Sequence, residues 1–309
     1  MKIAYLILAH NNPAHLLRMV ERLSGPDTLF YVHIDAKTDI DLFEVVRRHP
    51  SVVFCKKRIS CFWGDISLVD ATLQMMETAA ADARKSEYFV LLSGACYPVQ
   101  SAAYIDEFFE KHRGREFIEV FAFPNDAYGK PMERITNFWI KRMRPLSRVK
   151  WSLQRFLNNH FPPRRYQQVM QDSELVTGSQ WWALSAAALH YVLKFKQENP
   201  RFYRFCKHVD CPDEFFFQSI LWNSVFKEAV SHSLTFKSWK PGSCSPQNID
   251  VTVLPQLRAQ PVIDADNNNC PNPKQEVLFA RKFPMGSDVM LDQIDAIVAR
   301  KHAAELLSA

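Results

Sequence analysis

The run Ile3-Ala4-Tyr5-Leu6-Ile7-Leu8-Ala9 has no charged or amide side chain to turn toward water. As a strand it must be covered on both faces, which is the mark of a parallel sheet held between helices. Asn11-Asn12-Pro13 then opens a helix that carries Leu16, Leu17, Val20 and Leu23 on one face. The alternation recurs. Leu29 to Ile34 reads as a second strand, Val52-Val53-Phe54 as a third, Ile66 to Ala81 as a long amphipathic helix, and Tyr88 to Leu92 as a buried strand ending at Ser93-Gly94. Alternating strands and helices place the chain in the α/β class, with a mostly parallel sheet and helices on both faces. Ligands in such sheets bind beyond the carboxyl ends of the strands, so His10, Asp35 and the Ser93-Gly94 turn are expected to meet in one crevice. Further on, the pattern predicts helices from about residues 185 and 213, a strand near 232–237, a polar loop over 261–274, a strand Val277 to Ala280 and a last helix from about 287.

With 309 residues, 47% of them hydrophobic, the chain can bury a large core. No internal repeat or low-complexity linker divides it, and the reading is one domain over residues 1–309. The seven cysteines form no Cys-x-x-Cys pair, which argues against a zinc ribbon and suits a reducing compartment. The N-terminus turns polar too soon for a signal peptide, and no stretch of eighteen apolar residues follows. The expectation is a cytoplasmic protein without a transmembrane anchor. Neither a dinucleotide-binding glycine motif nor a P-loop is present, so a nucleotide must be held in another way.

The net charge of +5 is local. Between Glu133 and Asp172 there is no acidic residue but nine basic ones, Arg134, Lys141, Arg142, Arg144, Arg148, Lys150, Arg155, Arg164 and Arg165. Outside this stretch the acidic residues outnumber the basic ones. Trp139, Ile140, Met143, Leu146, Trp151 and Phe156 are interleaved with the charges, a mixture suited to anionic lipid and equally to a solvated helical face. No nucleic-acid motif accompanies it, and no nucleic-acid partner is expected.

Pro212-Asp213-Glu214 runs straight into Phe215-Phe216-Phe217 and on to Trp222. Proline and acids suit a helix start near residue 212, where they complement the positive end of the dipole. Two readings remain open: the carboxylates cap that helix, or one of them is a general base whose pKa is raised by desolvation among the rings.

Five segments resemble glycosyltransferase family 14 in identity and order. They are Phe30-Tyr31-Val32-His33-Ile34-Asp35, Trp63-Gly64-Asp65-Ile66-Ser67-Leu68-Val69, Leu91-Leu92-Ser93-Gly94-Ala95-Cys96-Tyr97-Pro98, Pro212-Asp213-Glu214, and Leu278-Phe279-Ala280-Arg281-Lys282-Phe283. That family contains the core-2/I-branching β-1,6-N-acetylglucosaminyltransferases and the peptide O-xylosyltransferases. The resemblance spans residues from about 3 to 295. It implies a GT-A fold, a UDP-sugar donor and inverting transfer to an acceptor hydroxyl, with residues 1–120 as the nucleotide-sugar-binding half and 121–309 as the acceptor-binding and catalytic half. The chain lacks the membrane anchor, stem and cysteine framework of the animal members, which points to a bacterial-type enzyme. Its expected acceptor is a glycan, free or on a lipid carrier, in cell-surface polysaccharide or lipooligosaccharide assembly. N-acetylglucosamine is the expected sugar, with xylose the alternative; a non-catalytic nucleotide- or glycan-binding protein and a basic membrane-associated scaffold are the rivals of another class.

By the same resemblance Glu214 matches the family's base and Asp213 caps the helix or orients its neighbour. Lys282, with Arg281 beside it, matches the diphosphate-binding lysine, so that cations replace a metal at the leaving group and no divalent ion or other cofactor is expected. Arg258 is a weak candidate for a second such cation. Asp39-Ile-Asp41 and Asp264-Ala-Asp266 are lexical metal motifs in unsuitable places. Asp35 matches the acid that contacts the nucleoside, and an Asx turn is its bland alternative. Arg58, Trp63, Gly64, Asp65 and His10 are expected to line the donor pocket. Trp181, Trp182, Trp239 and Glu119 are the acceptor candidates, with at least one of the adjacent tryptophans facing the core.

Overall fold

The computed structural model describes residues 1–141, 147–239, 245–264 and 275–308. Twelve strands order it: β1 Ile3–Ala9, β2 Thr28–Ile34, β3 Val52–Phe54, β4 Tyr88–Ser93, β5 Cys96–Pro98, β6 Glu116–Ala122, β7 Val176–Ser185, β8 Val230–Ser231, β9 Thr235–Lys237, β10 Ile263–Asp264, β11 Gln275–Glu276 and β12 Phe279–Arg281. Seven of them form one sheet in the order β3-β2-β1-β4-β7-β6-β8. β1 is central and pairs in parallel with β2 and β4. β7 runs antiparallel to both β4 and β6, so the sheet is mostly parallel with one reversed strand. β5, β12 and β9 make a second, three-stranded sheet, and β10 pairs with β11.

The apolar run of β1 is divided between two cores by the two-residue period of a strand. Ile3, Tyr5, Ile7 and Ala9 point into one, with Leu16, Met19 and Val20 of the helix Pro13–Leu23 and Leu291 and Ile294 of the helix Asp288–Ser308. Ala4, Leu6 and Leu8 point into the other, with Val69, Leu73 and Met76 of the helix Ile66–Ala80, Leu189 and Val192 of the helix Ala186–Glu198, and Phe216 and Phe217. Helices therefore cover both faces, as the strand–helix alternation predicts for the α/β class. The first helix begins as its sequence dictates: the Asn12 side chain accepts from the His15 amide at 3.3 Å, and Pro13 occupies the first turn.

Three expectations need correction. The strand foreseen at 232–237 is broken, because β8 ends on the main sheet and β9 belongs to the second one. The strand foreseen at Val277–Ala280 begins only at Phe279 and runs to Arg281, as β12, since the Val277 and Leu278 amides turn aside to the carbonyls of Val262 and Leu234. No α-helix starts at 212: Pro212–Glu214 is a single 3-10 turn entered from a left-handed Cys211 (φ 51°), and the helix runs Phe216–Trp222. β6 also continues across residue 120. No helix among the described residues is long and apolar enough to cross a membrane. The described cysteines 55, 61, 96, 206 and 211 are free.

Candidate active site

At the carboxyl ends of β1 and β4 lies a cavity of about 440 Å³. His10, Ser93 and Gly94 line it from those strand ends, Trp181 from β7, and Arg281 and Lys282 from the end of β12. Asp213 and Glu214 enter from the 3-10 turn, Trp63 and Gly64 from the loop before the helix Ile66–Ala80, and Trp239 from beyond β9. Eleven residues singled out by sequence thus meet in one place. Gly64 has φ of +66°, a left-handed conformation that suits glycine. Its carbonyl accepts from the Cys211 amide at 3.1 Å, tying the donor-side loop to the acidic turn.

The remaining candidates are spent on the fold. The Asp35 carboxylate accepts from the amides of Lys37 (2.8 Å) and Cys61 (3.2 Å) and pairs with the Lys37 ammonium, which is the Asx-turn reading. Burial pushes its carboxyl up, and these donors outweigh that and hold it below the usual range. Arg58 donates to the carbonyls of Ile34, Asp35 and Thr38. Asp65 caps its helix by accepting from the Ser67 amide at 2.8 Å. Trp182 faces the core and rests on Phe217, whereas Trp181 faces the cavity. Glu119 lies within β6 rather than after it and forms a buried ion pair with Lys237 at 3.0 Å. It reaches the cavity only through Lys237, which lines it.

Sequence reasoning missed the partners of the central carboxylate. Glu214 Oε2 accepts from Lys130 Nζ and from Arg134 Nη1, each at 2.8 Å. Lys130 Nζ also donates to the Gly178 carbonyl at 2.6 Å. That carbonyl lies at a bulge between β6 and β7, where a Cβ on Gly178 would stand 1.7 Å from the Glu119 carbonyl oxygen. Burial pushes the Glu214 carboxyl upward, but the two cations outweigh it and hold it well below the usual range. This reverses the sign expected from the aromatic surroundings: Glu214 stays ionised because it is paired. Oε1 accepts no hydrogen bond from the described residues, so one oxygen is held and the other remains for a ligand.

Asp213 goes the other way. It makes no capping hydrogen bond, and its buried Oδ1 has no partner among the described residues. Burial first, then the charge of Glu214, push its carboxyl up, so the two adjacent acids are driven in opposite directions.

Opposite stand the cations. Arg281 stacks its guanidinium 4.4 Å over the Trp181 ring and donates to Ser93 Oγ. Lys282 Nζ donates to Ser245 Oγ at 2.8 Å. Among the described residues no three His, Cys, Asp or Glu side chains gather as metal ligands. Asp39 caps a 3-10 turn through the Asp41 amide, and of Asp264-Ala-Asp266 the last two residues lie outside the described residues. Arg258 does not line the cavity.

The basic segment proves heterogeneous. Arg134 turns inward to Glu214, Lys141 pairs with Asp210 at 2.5 Å, and Arg164 is committed to backbone carbonyls. These three are removed from the lipid-facing set; Arg142, Met143, Arg144 and Leu146 lie outside the described residues. The acids that match Arg134 and Lys141, Glu214 and Asp210, lie beyond the segment's own limits.

Comparison with known proteins bears on this arrangement. The sequence model of the core-2/I-branching enzyme family matches residues 3–257. The xylosyltransferase oxt of Drosophila pseudoobscura pseudoobscura is 23% identical over 333 aligned residues, covering 99% of this chain and 34% of its own length. Human xylosyltransferase 1 is 23% identical over 248, covering 77% of this chain and 24% of its own. The chain thus spans about a third or less of the curated relatives it matches. Among solved structures, mouse xyloside xylosyltransferase 1 in its apo form aligns over 90% of this chain and 97% of its own at 11% identity, with a TM-score of 0.37. Residues 1–349 of S. aureus TarS in complex with UDP-GlcNAc align over 45% and 39%, at 13% identity and a TM-score of 0.30.

Proposed function

The chain belongs to the core-2/I-branching enzyme family, and from that membership we propose that it transfers a sugar from a UDP-sugar to a glycan hydroxyl with inversion. Glu214 Oε1 takes the acceptor proton as the acceptor oxygen bonds to the anomeric carbon. The bond from that carbon to the UDP phosphate oxygen breaks on the opposite face, and UDP leaves with the bonding pair. Arg281 and Lys282 face the diphosphate and stabilise its developing charge in the role a divalent ion otherwise takes. Trp181 and Trp239 offer apolar faces to sugar rings. Asp213, whose carboxyl burial pushes up, stands beside the base. The observation that carries the reading is the placing of an ionised carboxylate with one free oxygen and the Arg281-Lys282 pair on the same cavity.

N-acetylglucosamine remains the proposed sugar. Xylose is a second reading, favoured by the curated relatives, which are xylosyltransferases. The proposed role is in cell-surface polysaccharide or lipooligosaccharide assembly at the cytoplasmic face of the membrane. A panel of UDP-sugars followed by UDP release, with and without EDTA, tests donor and metal together. Turnover is expected to be unchanged in excess EDTA; complete loss with rescue by Mn²⁺ would overturn the metal-free proposal.

The clasp on Glu214 predicts a pH effect. With a carboxyl held below its unfolded value, the ionised form persists in the folded state as pH falls through the ordinary carboxylate range, and the stabilisation it lends the fold, full above the unfolded value, is lost progressively between that value and the depressed one. Lys130→Met removes one of the two cations, so Glu214 should protonate at higher pH. The acid limb of the kcat/KM profile is then expected to move upward relative to wild type. An unmoved limb would show that Lys130 does not set the ionisation of the base.

A further inference from the structure

A second concavity, open and of about 830 Å³, lies outside the site described above. Arg165, Arg201, Arg204 and His208 line it together with Phe138 and Phe161, and no aspartate or glutamate is among its described lining. Arg201 and Arg204 stand one turn apart on the helix Pro200–Cys206. With Arg165 they form no salt bridge among the described residues, and all three are exposed. The floor is built by Arg164, which donates to the carbonyls of Ile135 (3.3 Å) and His208 (2.8 Å) and stacks 4.0 Å over Phe205. Burial pushes its guanidinium down to about 10. Beside the groove the helix Ser147–His160 carries Val149, Leu153 and Phe156 at helical spacing on its exposed side, and Phe161 follows at its end. Phe156 and Phe161 are 51% and 52% exposed, with ring centroids 6.5 Å apart.

We propose that this groove and the apolar ridge beside it form a docking face for the surface of an anionic lipid bilayer. The arginines take headgroup phosphates while Phe156 and Phe161 enter the acyl boundary. Unpaired arginines without an opposing carboxylate call for an anionic partner, and phosphate is the group a guanidinium fork fits best. The exposed rings decide among anions: a nucleic acid or sulfated glycan leaves a row of aliphatic and phenyl side chains in water, whereas a bilayer buries them next to its charge. The surface differs from the one read in the sequence. Arg201 and Arg204 come from outside the basic segment, and Arg134 and Lys141 drop out of it. It also reaches the cavity, because the Ile135 carbonyl held by Arg164 adjoins Arg134, which clasps Glu214. The inference does not depend on the transfer reaction and is read by binding alone.

Co-sedimentation of the full chain with phosphatidylcholine vesicles, with and without phosphatidylserine, tests it. Binding is expected only to the anionic vesicles and is expected to fall as salt rises. The double variant Arg201→Glu, Arg204→Glu should lower the partition coefficient by at least about 30-fold, the equivalent of about 1 kcal/mol for each arginine. Phe156→Ser with Phe161→Ser should also weaken binding while leaving its salt dependence in place. A cooperative melting transition like that of wild type shows that each variant is folded. Equal binding to neutral vesicles, undiminished binding of the arginine variant, or binding to heparin or single-stranded DNA that anionic vesicles fail to displace would overturn the proposal. For wild type alone, binding that survives high salt would do the same.

Discussion

Glu214→Gln is expected to lower the rate of sugar transfer by roughly 10²- to 10⁴-fold, the usual effect of removing a general base. The substitution isolates chemistry from architecture. A glutamine oxygen in the place of Oε2 still accepts from Lys130 and Arg134, so the clasp keeps its hydrogen bonds, and Asp210 remains near Arg134 at 3.8 Å. What disappears is the carboxylate oxygen directed to the cavity, since an amide cannot take up the acceptor proton. UDP should still raise the melting temperature, because Arg281 and Lys282 are untouched. Full turnover by the variant would sink the assignment of the base and return the carboxylate to a structural role. Loss of turnover with retained UDP binding also separates an enzyme from a nucleotide-binding protein of the same fold.

Lys282→Met should produce the complementary defect, a fall of roughly 10²- to 10³-fold in kcat, the size seen when one donor to developing negative charge is removed. Methionine keeps the length and most of the volume of lysine but brings no charge to the diphosphate. The melting shift caused by UDP should shrink with it, in contrast to Glu214→Gln. Arg281 is the less clean test, because its guanidinium also stacks on Trp181 and donates to Ser93, and losing it disturbs the cavity wall. Unchanged kcat in Lys282→Met would move the charge-stabilising role elsewhere, with Lys237 the next cation on the cavity.

Much of the fold was legible because its signals are local. The apolar run of β1 and the Asn12-Pro13 helix start each declare themselves within a few residues, and the structure places them where the pattern does. The reversal of β7 was not legible, since the direction of a strand is set by the neighbours it meets in the sheet and not by its own residues. In the site, Glu214, Arg281 and Lys282 stood out through their motifs. Asp35, Arg58 and Asp65 stood out equally and proved to be holding turns and a helix end, because strand-end polar residues serve backbone and ligand alike. The Trp181-Trp182 pair divides as strand alternation demands, one toward the cavity and one into the core.

The residues around Pro212-Asp213-Glu214 determined that two carboxylates would stand beside a buried aromatic helix, and the strand pattern determined that the site would open at the ends of β1 and β4. The charge of each carboxylate was decided only in three dimensions. Lys130 and Arg134, more than seventy residues away in the chain, are brought onto Glu214 by the bulge between β6 and β7 and by the turn that enters Pro212. Burial by itself drives a carboxyl toward neutrality, as it does for Asp213. Two cations within hydrogen-bonding distance reverse that for its neighbour, and such pairing leaves no trace in the local sequence because Coulomb interactions follow distance in space rather than separation along the chain.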